Sequence, residues 1–107
     1  MLSLLPQVQC ADARNTLQQM IGAGTLRVYT TDNDAYGVWN SVTQRIYISR
    51  PMHWNPITGA VNTAELIDTL VHEAVHKLLG HSNGQPSSET HGTAFRNKMA
   101  TCGFPQP

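Results

Sequence analysis

The sequence predicts an α+β fold, and three observations point to it. A helical pattern of apolar residues occupies residues 6–21, three short segments rich in β-forming residues follow between 26 and 49, and two more helical patterns occupy residues 62–79 and 92–102. Strands that are grouped between helices, rather than alternating with them, are typical of this class. The length of 107 residues predicts a single domain over residues 1–107 with one modest core.

The first helix is bounded by residues that favour a start and a stop. Pro6 suits the first turn of a helix, and Gly22 and Gly24 end the apolar repeat. We expect this helix to cover one face of a sheet and to carry no chemistry.

Three short segments alternate between apolar and polar residues, as strands with one buried face do: residues 26–30, 36–40 and 44–49. The short connections between them predict antiparallel neighbours, and we expect the third segment to lie at an edge of the sheet. The polar residues 31–34 lack the glycine and the terminal glutamate of a calcium loop, so we expect a plain turn there.

A loop with two prolines and a glycine covers residues 50–61 and carries His53 next to Trp54. A single histidine beside a tryptophan in such a loop is more often a packed residue than a metal ligand. Its place just before the next helix leaves a role as a wall of a cleft open.

The helix at residues 62–79 has clear signals at both ends. Asn62 and Glu65 have the spacing of a capping box, and Gly80 follows the last turn. An apolar stripe at helical spacing predicts the face that packs on the core. It consists of Ile67, Leu70, Val71, Ala74, Val75 and Leu78.

The opposite face of this helix carries H-E-x-x-H, formed by His72, Glu73 and His76. Residues four apart lie on the same side of a helix, so the two imidazoles face one point and can hold a zinc ion. The glutamate lies about 100° around the axis, where it can reach a water molecule on the metal. The alternative is that all three are merely the solvated face of an amphipathic helix.

A catalytic zinc ion usually has three protein ligands, and three residues after the helix are candidates for the third: His81, Glu89 and His91. His81 follows the helix so closely that only a sharp turn would bring it back. His91 is better placed, because a loop of about ten residues can reverse the chain, and Gly92 allows close approach of the backbone. Asp68, one turn before His72, either orients that ring or is simply exposed.

The motif at residues 72–76, followed by H-G-x-x-F at residues 91–95 and by Met99, resembles the SprT-like zinc metalloprotease family. The resemblance covers the chain from about residue 26 to residue 104. It implies a minimal zincin-like domain that binds Zn²⁺ through His72, His76 and His91 and hydrolyses protein or peptide substrates with Glu73 as the catalytic base. For the group that stabilises the oxyanion, the candidates are Tyr36, Arg45, Tyr47 and His81.

Two other classes of function compete with the protease. One is a non-catalytic module that uses the same histidines as a structural zinc staple, in association with DNA-bound proteins. The other is a nucleic-acid-binding domain, which the family resemblance allows but which the seven basic and seven acidic residues, with zero net charge, do not support.

Composition also indicates where in the cell the protein could be located. No apolar run approaches the ~18 residues that a membrane span needs. Cys10 and Cys102 are the only cysteines, and we expect both to be reduced core residues of a cytoplasmic monomer. The alternative for the cysteines is a bridge between the two. A cytoplasmic protein of this kind could be encoded by a phage and act in its bacterial host.

Overall fold

The computed structural model describes residues 2–29 and 35–106. A 3₁₀ helix (Leu2–Gln7) precedes five α-helices and a three-stranded sheet, so the predicted α+β class is confirmed. Thr30 and the turn predicted at residues 31–34 lie outside the described residues. The elements in chain order are α1 (Ala11–Ala23), β1 (Leu26–Tyr29), β2 (Gly37–Asn40), β3 (Arg45–Ser49), α2 (Arg50–His53), α3 (Thr63–Leu78), α4 (Ser87–Thr90) and α5 (Thr93–Thr101).

The sheet has the order β1-β3-β2, which corrects two expectations. β3 pairs antiparallel with β2, as the short connection predicts, but it pairs parallel with β1. β3 is therefore the central strand and not an edge. The physical reason is burial, because Ile46 and Ile48 on β3 are both fully buried and the strand that carries them gains most from neighbours on both sides.

Helix α3 forms the centre of the core. Leu70, Val71 and Ala74 are fully buried, and the helix packs against α1, β2 and β3. The Asn62 side chain accepts a hydrogen bond from the backbone N–H of Glu65 at 3.1 Å, which confirms the N-cap of this helix. The apolar stripe thus fixes which side of the helix faces the cleft.

The ends of the other predicted elements shift by a few residues. Pro6 lies in the 3₁₀ helix, and α1 begins only at Ala11. The loop at 50–61 contains the short helix α2, whose His53 is 2 % exposed. His53 hydrogen-bonds to the Ser49 carbonyl and to the Thr69 hydroxyl, so it is a packed residue, as expected.

A disulfide joins Cys10 to Cys102, so the expectation of two reduced cysteines was wrong. The bond connects the residue before α1 to the residue after α5, and Cys102 is fully buried. Disulfides are typical of oxidising compartments. The expected cytoplasmic location was based partly on free thiols, and the disulfide removes that reason for it.

Within the described part of the chain, every helix is too short or too polar to cross a lipid bilayer.

Candidate metal centre and cleft

Three histidine side chains converge at one end of α3. His72 and His76 lie one turn apart on this helix, with ring centroids 4.8 Å from each other. His91 follows α4 directly, and its ring lies beside the other two. Its ring centroid is 5.2 Å from that of His72 and 4.7 Å from that of His76. One nitrogen of each ring lies within 4.8 Å of the other two, so the three rings could hold a metal ion.

One pair of nitrogens has the spacing that a tetrahedral metal ion requires. The Nε2 atoms of His72 and His91 are 3.2 Å apart. Two histidine nitrogens bound to a tetrahedral zinc ion at the usual bond length are roughly 3.3 Å apart. Among the described residues the metal-binding group consists of these three imidazoles, a donor set that leaves a position of such an ion open.

Two of the three rings are held by groups at Nδ1, which leaves Nε2 for the metal. Nδ1 of His91 lies 2.9 Å from the Ser87 carbonyl oxygen. Because a carbonyl only accepts, this nitrogen carries the proton. Nδ1 of His76 lies 2.8 Å from Nδ1 of His81. Partners of this kind fix the tautomer and the orientation of metal-binding histidines.

Two polar side chains lie near the third ring, that of His72. Against the larger effect of burial, Gln106 and Asp68 both act to raise the pKa of His72, and Gln106 Nε2 donates a hydrogen bond to Asp68 at 3.1 Å. Of the two roles that the sequence left open for Asp68, simple exposure does not hold, because the residue is half-buried and its hydrogen bond goes to Gln106. The position of Gln106 had no signal in the sequence, since it belongs to no motif.

Burial keeps the two helix histidines in the uncharged form that a metal needs. Desolvation lowers the pKa of His72, and repulsion from His91 adds to this effect. For His76, desolvation is again the largest cause, followed by the neighbouring histidines, and the pKa falls to about 3. These rings therefore offer a lone pair at neutral pH.

Phe95 forms the floor beneath all three rings. It stacks on His76, with centroids 4.6 Å apart and an interplanar angle of 16°, and meets the rings of His72 and His91 edge-on. Phe95 is only 2 % exposed and belongs to the hydrophobic core. The aromatic residue of H-G-x-x-F thus holds the imidazoles against the core.

Glu73 lies beside the histidines, 6 % exposed, and its carboxyl group accepts a hydrogen bond from the backbone N–H of Trp39 on β2. Burial raises the pKa of this carboxyl group from 4.5 to about 7. Gly37 allows β2 to approach, because a Cβ there would lie 2.8 Å from Thr69 Cγ2 and 3.3 Å from Glu73 Cγ. At Gly92, by contrast, a Cβ would make ordinary contacts, so close approach does not explain that glycine.

The raised pKa of Glu73 predicts how the metal-free protein responds to pH. Below pH 4.5 the carboxyl group is protonated in both the folded and the unfolded chain. Above pH 7 it is ionised in both, and burying the charge costs the folded state about 3 kcal/mol, since the pKa differs by roughly 2.5 units.

Glu73→Gln removes this cost in the metal-free protein. The free energy of unfolding of the variant, relative to that of the wild type, should therefore rise by about 3 kcal/mol from pH 4.5 to pH 8. Urea unfolding in a chelator measures this difference, and a difference that stays constant with pH would contradict it.

The histidines and Glu73 open into a cleft of about 310 Å³, with Gly37 to Trp39 of β2 along one wall. A second cavity of about 250 Å³ lies beside the first, and Gly37, His72 and Glu73 line both; the two adjacent cavities make up the groove beside the histidines. Of the oxyanion candidates, His81 lines the first cavity and Tyr36 lines the second. The close approach of the backbone at Gly37 is a feature that the sequence did not reveal.

Comparisons of this chain with protein-family models, with curated proteins and with solved structures found no match.

Proposed function

We propose that the protein is a zinc-dependent metalloendopeptidase. The observation that carries the proposal is the convergence of three imidazoles on one point, beside a buried carboxyl group in an open groove. The resemblance of H-E-x-x-H and H-G-x-x-F to the SprT-like proteases supports the same reaction.

His72, His76 and His91 would hold the zinc ion through their Nε2 atoms. Bound zinc supplies Lewis acidity and lowers the pKa of a bound water to about 7. Glu73 accepts the proton of the water that attacks the peptide carbonyl, and it then returns this proton to the departing amine. The backbone N–H of Trp39 favours the ionised carboxylate of Glu73, which is the form that accepts the proton.

An extended substrate would bind along β2. Among the described residues, β2 pairs with β3 on one side only, and its residues Gly37, Val38 and Trp39 border the groove. Backbone pairing of a peptide with an edge strand reads little of the side-chain sequence. We therefore propose cleavage of unfolded proteins and peptides with broad specificity.

Zinc binding and casein cleavage, measured together on the wild type and on His91→Ala, test this function. The wild type should bind one zinc ion per chain and cleave casein, and a chelator should abolish cleavage until zinc is restored. His91→Ala removes one of three ligands, so its zinc affinity should fall by at least about 100-fold, more than loss of a ligand's hydrogen-bond partner costs.

The matched control is Arg96→Ala, a change of an exposed residue one turn further along the same chain segment. It should leave zinc affinity and cleavage as they are. Zinc bound by the three histidines without any chelator-sensitive cleavage would refute the protease and favour the non-catalytic zinc module.

A further inference from the structure

A sharp turn after α3, of the kind that the sequence requires for His81, brings this residue back to His76. α3 ends at Leu78, and Gly80 adopts the left-handed conformation with φ of 71°. The backbone N–H of His81 then donates to the carbonyl of His76 at 3.0 Å. Glycine is suited to this φ because it has no Cβ, so the turn brings the fifth residue after His76 back to it.

Metal binding would set the direction of the hydrogen bond between the two rings. Nδ1 of His76 and Nδ1 of His81 are 2.8 Å apart, and a hydrogen bond needs a proton on one of them and a lone pair on the other. With a metal ion on Nε2 of His76, Nδ1 of His76 would carry the proton. His81 would then accept the hydrogen bond and keep its own proton on Nε2.

The backbone of His81 is fixed from two directions. Trp39 Nε1 donates to the His81 carbonyl at 3.1 Å, which connects the residue to β2. Two positions later, Asn83 accepts from the backbone of Ser41 at 3.0 Å and donates to Asn40 at 3.1 Å. This loop is therefore tied to the β2–β3 turn, and the imidazole of His81 is held where His76 needs an acceptor.

We infer that His81 is a positioning residue for the metal centre, which orients His76 and fixes its tautomer as a hydrogen-bond acceptor. The inference rests on the proposed metal centre but does not depend on proteolysis. Carboxylates, carbonyls and water are the usual partners of metal-binding histidines, and here a neutral histidine takes that place. Such partners typically contribute 10–100-fold to metal affinity, and we expect about that loss without His81.

The test compares zinc dissociation constants of His81→Ala and His81→Asn, measured by competition with a chelating dye. Asparagine places an amide oxygen close to where Nδ1 of histidine lies, so it keeps the acceptor that alanine removes. Affinity should fall about 10–100-fold in His81→Ala and stay within about threefold of wild type in His81→Asn. Ser82→Ala, a change of an exposed neighbour in the same loop, should bind zinc like the wild type.

Wild-type affinity in His81→Ala would overturn the inference, and so would equal losses in both His81 variants, because these would show a role of the side chain other than accepting a hydrogen bond. Unfolding of the metal-free variants in urea separates these outcomes from simple loss of the fold. A wild type that binds zinc without cleaving casein refutes the protease alone. A wild type that binds no zinc refutes both proposals.

Discussion

Glu73→Gln is expected to lower kcat/KM for casein cleavage by about 10²–10⁴-fold while zinc affinity stays close to that of the wild type. The amide has nearly the same shape as the carboxyl group and still accepts a hydrogen bond from the Trp39 backbone. It cannot take a proton from the attacking water, so the loss should appear in kcat. Cleavage kinetics and dye competition for zinc, measured on one preparation, separate the two quantities.

Glu89→Gln provides the matched control for this change. Glu89 is exposed, lies only two residues before His91, and is not part of the metal group that the described residues form. The same exchange of carboxylate for amide at this position should leave cleavage unaffected. Retained activity in Glu73→Gln would exclude Glu73 as the base, and equal losses in both variants would point to a general effect of charge.

Reduction of the Cys10–Cys102 disulfide should lower the free energy of unfolding by about 4–5 kcal/mol. The bond closes a loop with a sequence separation of 92, and the entropy that such a loop removes from the unfolded chain has about this size. For a chain of this length the melting temperature should fall by about 20 °C or more. Urea unfolding with and without reductant measures the difference.

A double variant, Cys10→Ser with Cys102→Ser, is the control for the reductant itself. Its stability should already be low and should not change when reductant is added. Equal stability of the oxidised and reduced wild type would show that the covalent bond adds nothing to the contacts between the start of α1 and the end of α5.

The part of the fold that could be predicted from the sequence is the part set by local periodicity. The apolar stripe of α3 determines which side is buried, and the Asn62 cap determines where the helix begins. These two features also determine that His72 and His76 face the groove. His91 could be placed as well, because α5 must reverse direction to pack on α3.

What could not be predicted depends on contacts between distant residues. The alternation of β3 reveals that Ile46 and Ile48 share a buried face, but it does not reveal that β1 pairs with β3 rather than with β2. Two cysteines carry no local sign of bonding across a separation of 92 residues. Likewise, nothing around Gln106 indicates that its side chain donates a hydrogen bond to Asp68, one turn before His72.

The order of the three histidines along the chain has a consequence for biosynthesis. A ribosome releases the chain from its amino end, so the H-E-x-x-H helix emerges well before the residues that complete its surroundings. Cys10 must also wait for Cys102 before the two can be oxidised. In a nascent chain the three histidines therefore cannot converge until His91 and the part of α5 that packs on α3 have left the exit tunnel.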